Sequence, residues 1–75
     1  MTETLSFISM NVQGLGNKTK RLDTFNFIQT KQPSVIFLQD THFTEKDEHT
    51  VYSEIGMKCF FNNYSSQARG VAIFI

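Results

Sequence analysis

The sequence is poor in several features that would narrow its class. It has one cysteine, Cys59, so it cannot form an internal disulfide framework or a cysteine-based zinc site. Seven Lys and Arg residues balance seven Asp and Glu residues, and a net charge of zero gives no global electrostatic argument for a nucleic-acid or membrane partner. No apolar run approaches the roughly 20 residues of a membrane-spanning helix. Met1–Thr4 lacks the basic region of a signal peptide, so we expect a soluble, intracellular protein.

Apolar side chains, by contrast, are plentiful. Of 75 residues, 40% are hydrophobic and eight are Phe, which is too apolar for a disordered segment. The length allows one small domain. A chain of this size buries only about 60% of its unfolded surface, so this much aromatic surface is hard to cover. We therefore expect a partner, or further chain, to complete the core.

The hydrophobic pattern predicts strands alternating with helices. In chain order we expect a strand over Leu5–Met10, a helix over Thr19–Lys31, a strand over Val35–Gln39, a helix beginning near Phe43, and strands over Met57–Phe61 and Val71–Ile75. The first strand, helix and strand form a βαβ unit, which makes the two strands parallel.

Several side chains are assigned to a core or to a helix end. The expected core comprises both faces of the strand Val35–Gln39 together with Leu5, Phe7, Ile8, Leu22, Phe25 and Ile28. Asn17 or Thr19 is expected to cap the first helix. Thr44 with Asp47 resembles a capping box, and Gly56 is typical of the residue after a helix end.

Polar side chains follow the first two predicted strands at their carboxyl ends, where ligands tend to bind in open α/β sheets. Asp40 is a candidate Mg²⁺ ligand, and the alternative is a strand-terminating turn residue or a helix cap. Asn11 would reach the same edge if the strands are parallel neighbours, and alone it is more typical of a turn. His42 could pair with Asp40 in acid–base or metal chemistry, but we expect a solvent-facing loop histidine, because an isolated Asp-x-His is a weak signal.

Two basic groups are further candidates for contact with phosphate. Lys18–Arg21 stands at the start of the first helix, where anions are attracted, although a solvated helix face is the favoured interpretation. Arg69 could pair with phosphate or with a carboxylate, and Gly70 beside it indicates a close backbone approach.

Three stretches resemble, in order, motifs of the endonuclease/exonuclease/phosphatase family. Residues 8–15 (ISMNVQGL) resemble its "WNVRGL"-like first strand. Residues 31–42 (KQPSVIFLQDTH) resemble its "PDIIxLQETH" stretch, and residues 68–73 (ARGVAI) its "SRGVAIL" strand. Within the family, the chain is most similar to the apurinic-type endonuclease domain that precedes the reverse transcriptase in non-LTR (LINE-type) retrotransposons.

This resemblance implies a fold and an activity. The family fold is a four-layered α/β sandwich of two packed sheets flanked by helices. The chain would form its N-terminal part, with β-α-β-α-β-β order and one mixed sheet carrying helices on one face. The family hydrolyses phosphodiesters with Mg²⁺ or Mn²⁺, and DNA is the substrate of its endonucleases.

The resemblance also implies two site residues. Asn11 matches the first-strand asparagine of the family's active site, and Asp40 matches its metal-binding glutamate, although Asp is one methylene shorter. The family's tyrosine, Asp-x-Asn pair and closing Asp-His lie further along the family's domain than the three stretches matched here. We therefore expect residues 1–75 to be one partial domain, truncated at the C-terminus, that is inactive alone and binds metal poorly.

Two alternatives stay open. The chain could be a small stand-alone α/β module that binds a protein through the exposed apolar face of its sheet. It could also derive from a phosphatase of the same family, because the resemblance does not separate nucleases from phosphatases here.

Overall fold

The computed structural model describes residues 5–75 as a four-stranded sheet with two helices. Met1–Thr4, where no signal peptide is expected, lie outside the described residues. The elements are β1 (Phe7–Asn11), α1 (Lys18–Thr30), β2 (Val35–Gln39), α2 (Glu45–Ile55), β3 (Cys59–Asn62) and β4 (Val71–Phe74). The α/β class and the β-α-β-α-β-β order are thus confirmed, whereas the layering of a sandwich stays a prediction.

The sheet is mixed, and its strand order is β1-β2-β4-β3. β1 and β2 are parallel, as a helical crossover between them requires, and Asn11 pairs with Gln39 at their carboxyl ends. β4 runs antiparallel to both β2 and β3. β1 and β2 therefore end on the same side of the sheet, which we call the carboxyl edge.

Helix ends follow from local chemistry. The Asn17 side chain caps α1 by accepting a hydrogen bond from the Lys20 backbone N–H at 3.0 Å. At the start of α2, the Asp47 carboxylate accepts from the Thr44 backbone N–H at 2.8 Å, which confirms the capping box. Gly56 ends α2 with a φ of 68°, a left-handed conformation that glycine adopts without steric cost.

The core lies between the two helices and one face of the sheet, which we call the inner face. Its buried hydrophobic residues are Val12, Leu15, Phe25, Ile28, Ile36, Leu38, Phe43, Val51, Ile55, Ala72 and Phe74. Phe25 of α1 packs edge-on against Phe74 of β4, with ring centroids 5.9 Å apart. Neither described helix has the length and apolar character needed to cross a bilayer.

Three expectations about the core are wrong. Leu22 of α1 is only half-buried and is not among the core residues. β2 is fully buried on one face only, at Ile36 and Leu38, because both helices pack on the same side of the sheet.

In β1 the expected core residues Leu5 and Phe7 are exposed. Ile8, which was also expected in the core, packs against it together with Met10. Phe7 lies beside Phe37 on the opposite, outer face, with ring centroids 6.3 Å apart.

Candidate functional site

Asp40 lies at the carboxyl edge, directly after β2, and joins two loops through one oxygen. Its Oδ1 accepts a hydrogen bond from the Arg69 backbone N–H at 3.0 Å. The same oxygen lies 2.7 Å from Nε2 of His42. Because an ionised carboxylate can only accept, the imidazole carries its proton on Nε2 in this contact. Asp40 thus fixes the loop before β4 and the histidine two residues further along.

His42 is not the solvent-facing loop residue expected from the sequence. Its side chain is 22% exposed and that of Asp40 is 35% exposed. The imidazole also packs against the loop after β1, where a Cβ added at Gly14 would lie 2.7 Å from Nδ1 of His42. The reason is backbone conformation: both residues of the pair are left-handed, with φ of 59° at Asp40 and 60° at His42. These turns fold the two side chains onto each other.

Backbone hydrogen bonds link three loops at this edge. The loop after β1 donates to the loop after β2 through Gly14 and Leu15, whose N–H groups lie 2.8 Å from the carbonyl oxygens of residues 40 and 41. The His42 N–H donates to the Arg69 carbonyl at 2.8 Å. We call this arrangement, together with the Asp40 contacts, the three-loop clasp.

Left-handed backbone is concentrated in the clasp. Five described residues other than glycine have a positive φ, and four of them belong to these loops: Gln13, Asp40, His42 and Arg69. Such conformations cost of order 1 kcal/mol each and persist where the surroundings determine them. The carboxyl edge therefore holds Asp40 in a fixed and locally strained position.

Asn11 reaches the same edge, as the parallel pairing predicted, but it does not hydrogen-bond to Asp40 within the described residues. Its Oδ1 accepts from the Gln13 backbone N–H at 3.2 Å and stabilises the turn after β1. Its side-chain Nδ2 has no protein acceptor in residues 5–75, and the residue is exposed. Asn11 is therefore both a turn residue and a free amide donor beside the clasp.

Arg69 and Gly70 take separate roles. The Arg69 guanidinium lies over the ring of Tyr64, 4.9 Å from its centroid, while its backbone N–H binds Asp40. The expected close approach at Gly70 is confirmed. An added Cβ would lie 2.8 Å from Oγ1 of the fully buried Thr41, and φ is 95°.

The basic cluster at the start of α1 divides into two groups. Lys18 and Lys20 are exposed, as a solvated helix face predicts. Arg21 is buried and forms two hydrogen bonds with Glu54 of α2, Nε to Oε1 at 2.5 Å and Nη2 to Oε2 at 2.9 Å. Its Nη1 lies 3.2 Å from the carbonyl oxygens of Leu15 and Gly16, which belong to the loop after β1.

The pair between Arg21 and Glu54 thus stabilises the clasp through the bonds of Arg21 to the loop after β1. The hydrogen bond to Glu54 raises the pKa of Arg21 against the opposing effect of burial, so the guanidinium stays charged. A sequence signal was present, because Arg21 stands four residues before Phe25 and seven before Ile28, on the apolar stripe of the helix. A charge on such a stripe indicates a buried partner, and we missed it.

The edge offers a divalent cation a single carboxylate. Within residues 5–75, no three His, Cys, Asp or Glu side chains converge so as to hold a metal ion. Oδ1 of Asp40 is engaged in the clasp, and Oδ2 accepts no hydrogen bond from a described residue. Mg²⁺ in proteins is often held by one or two carboxylates, with water and substrate phosphate completing the shell. The described residues fit such a hydrated ion at one oxygen and do not fit a closed protein cage.

A comparison with models of known protein families finds none that matches this chain.

Proposed function

We propose that this chain supplies one wall of a Mg²⁺-dependent phosphodiesterase site, as the N-terminal part of a retrotransposon-type DNA endonuclease of the endonuclease/exonuclease/phosphatase family. The observation that supports this proposal best is the fixed Asp40 carboxylate at the carboxyl edge, with one oxygen bound in the clasp and the other free. The three sequence motifs of the family all fall on this edge or lead into it: the ends of β1 and β2 and the start of β4.

Two side chains of the wall would act on a phosphodiester. Oδ2 of Asp40 would hold the hydrated Mg²⁺ or Mn²⁺, and the bound ion would supply positive charge that stabilises the transition state. Nδ2 of Asn11, left free because Oδ1 is used in its turn, would donate a hydrogen bond to a phosphate oxygen. Because the clasp fixes Asp40 before any ligand arrives, the carboxylate needs little reorganisation on binding.

The wall alone does not cleave DNA. Phosphodiester hydrolysis requires several groups that position the nucleophile and stabilise charge together. At the carboxyl edge the described residues provide one carboxylate and one amide. The imidazole of His42 has its Nε2 against Asp40 and its Nδ1 against Gly14, so neither nitrogen is placed to activate an attacking water.

A plasmid-nicking assay tests this proposal. The purified chain is incubated with supercoiled DNA in Mg²⁺ or Mn²⁺, beside an Asp40→Ala variant and an EDTA control. We expect no nicking above the EDTA background from either protein. Metal-dependent nicking by the natural chain that disappears in Asp40→Ala would overturn the statement that the wall is inactive alone.

A second candidate function is supported by the outer face of the sheet. Phe7 and Phe60 are exposed there, and Phe37 lies between them. Exposed apolar patches on soluble proteins mark interaction sites. The chain would then be a small protein-interaction module without catalysis. Cooperative unfolding of a well-defined species supports this function, and molten behaviour with exposed apolar surface supports the partial-domain proposal instead.

A further inference from the structure

The loop between β3 and β4 presents an aromatic ring and a cation side by side. The guanidinium of Arg69 lies 4.9 Å from the centroid of the Tyr64 ring. Tyr64 is 67% exposed and Arg69 is also exposed, so this pair of side chains stands on the surface of the loop. We call the two side chains the Tyr64–Arg69 platform.

Hydrogen bonds within the loop bring the two residues together. The Ser65 hydroxyl accepts from the backbone N–H groups of Gln67 and Ala68, at 3.2 and 3.1 Å. The Ser65 N–H donates to the Ala68 carbonyl at 3.3 Å, which closes a turn between the ring and the guanidinium. Because the loop's own groups close this turn, the platform is formed before any ligand binds, and binding needs little further ordering.

The platform is fixed to the rest of the molecule on both sides. On one side, the backbone of Arg69 binds the clasp through the Asp40 carboxylate and the His42 N–H. On the other side, Nδ2 of Asn63 donates to Oε2 of Glu48 on α2 at 2.8 Å. The guanidinium is therefore separated from the contact with Asp40 only by the length of the Arg69 side chain.

The guanidinium has no anionic partner in the part of the chain that the structure describes. Neither of the ion pairs found in residues 5–75 includes Arg69, and its guanidinium donates no hydrogen bond to a described residue. The two carboxylates that tether the loop are engaged elsewhere: Asp40 binds the Arg69 backbone and Glu48 binds Asn63. Because an unpaired guanidinium matches phosphate through parallel N–H···O bonds, Arg69 is available to an anion from outside the chain.

We propose that the Tyr64–Arg69 platform binds an unpaired nucleotide of the substrate strand, with the base on the Tyr64 ring and the phosphate at the Arg69 guanidinium. This inference rests on the proposed function and deepens it, because it names the form of DNA that the site accepts. Aromatic rings and Arg side chains together are typical of single-stranded nucleic-acid sites. A base inside a duplex has both faces covered by its neighbours, so only an unpaired or extruded base can stack on the ring.

The make-up of the platform sets the strength and the selectivity of binding. Stacking tolerates sequence, because every base has a π-face. The chain has zero net charge and so lacks long-range attraction for nucleic acid, which leaves one stacked base and one phosphate contact. We therefore expect sequence-tolerant, salt-dependent binding with a dissociation constant of roughly 0.1–1 mM.

An amide NMR titration of the 75-residue chain with single-stranded tetrathymidylate, in EDTA, tests the inference. We expect saturable shifts centred on the loop between β3 and β4. Tyr64→Ala should raise the dissociation constant about tenfold or more, whereas Tyr64→Phe keeps a ring and should stay within about twofold. The matched control is Tyr52→Ala, at an exposed tyrosine on α2, which should also stay within about twofold. Circular dichroism confirms that each variant is folded.

Two further comparisons separate the phosphate contact from the stacked base. Arg69→Gln keeps the backbone N–H that binds Asp40 and removes the guanidinium, so its binding should be weaker and less dependent on salt. A fully paired DNA hairpin and inorganic phosphate are titrated as competing probes. Both should bind at least about tenfold more weakly than tetrathymidylate, because neither offers a base that can stack.

Four outcomes would overturn the inference. They are the absence of saturable shifts up to about 5 mM probe, shifts centred away from the loop, an equal effect of Tyr64→Ala and Tyr52→Ala, and a hairpin or inorganic phosphate bound as tightly as the single strand. Because EDTA removes metal ions throughout, a failed titration leaves the Asp40 proposal standing. Loss of metal binding at Asp40 would likewise leave the platform standing, so the two failures are read separately.

Discussion

The two faces of the sheet are built from the same strands but differ in their surroundings. On the inner face, Ile36, Leu38 and Phe74 are fully buried beneath two helices. On the outer face, Phe37 is only half-buried and Phe60 is exposed, although these residues are at least as apolar. Hydrophobic character therefore does not decide which face is covered in this chain. The positions of the helices decide it, and the apolar residues on the other side are left partly exposed.

The largest expected effect is the difference in stability loss between a substitution on the inner face and one on the outer face. Phe74→Ala removes a fully buried ring that contacts both Phe25 and Phe61, so we expect a loss of about 3–5 kcal/mol in the free energy of unfolding. Phe60→Ala on the outer face should cost less than about 1 kcal/mol at concentrations where the chain is monomeric. Urea unfolding measures both. Equal losses would show that the outer face is buried in the folded monomer.

The next prediction concerns the ion pair of Arg21 and Glu54, whose side chains are 7% and 12% exposed. Arg21→Ala leaves Glu54 and two loop carbonyls without their donor, so we expect a loss of about 3 kcal/mol. Lys18→Ala, at an exposed position in the same helix, serves as the control and should change stability by less than about 0.5 kcal/mol. Urea unfolding again provides the measurement, and a similar small change for both variants would contradict a supporting role for Arg21.

The carboxyl edge depends on a close backbone approach at Gly70. Gly70→Ala meets both a positive φ and the Thr41 hydroxyl, so we expect a loss of about 1–3 kcal/mol. Gly16→Ala is matched to it, because an added Cβ there meets nothing within 4 Å and its backbone is not left-handed. That variant should be neutral or stabilising by up to ~1 kcal/mol. Thermal unfolding compares the two variants, and a tolerated Gly70→Ala would contradict the tight contact.

The smallest predicted change in the free energy of unfolding is a gain, whereas the substitutions above are expected to lower it. Thr41 is fully buried, and its hydroxyl has no hydrogen-bond partner within the described residues. Replacing it with valine keeps the shape and removes an unsatisfied polar group, so we expect a gain of about 1 kcal/mol from Thr41→Val. Thr24→Val is the control, because the Thr24 hydroxyl already donates to the Lys20 carbonyl and its loss should bring no gain. A destabilised Thr41→Val would reveal a partner for that hydroxyl.

Much of the fold follows from the sequence because local signals agree. The capping residues Asn17 and Thr44, the end of α2 at Gly56 and the period of the strands all predicted elements that the structure confirms. The placement of Phe7 on the core side of β1 was wrong, because alternation alone does not show which of the two sets of alternate residues meets the helices. That choice depends on where α1 packs, which is a tertiary property.

The site was partly predictable. Parallel pairing of β1 and β2 placed Asn11 and Asp40 at one edge, as the sequence implied. The contact between His42 and Asp40 was missed, because it depends on left-handed backbone at two residues other than glycine, for which the sequence has no dependable signal. The part played by Arg69 was missed for a similar reason: its backbone N–H, rather than its charge, binds Asp40.

Paramagnetic broadening by Mn²⁺ in amide NMR spectra tests most directly whether Asp40 is a remaining metal ligand. At millimolar Mn²⁺ we predict broadening centred on the three loops of the clasp, near Gly14, Asp40 and Arg69. Asp40→Asn, which keeps an oxygen for the Arg69 N–H but removes the charge, should abolish it. His49→Ala controls for binding at an exposed imidazole on α2 and should leave it unchanged. Broadening that is absent from the clasp, or that persists in Asp40→Asn, would contradict the assignment of Asp40 as a metal ligand.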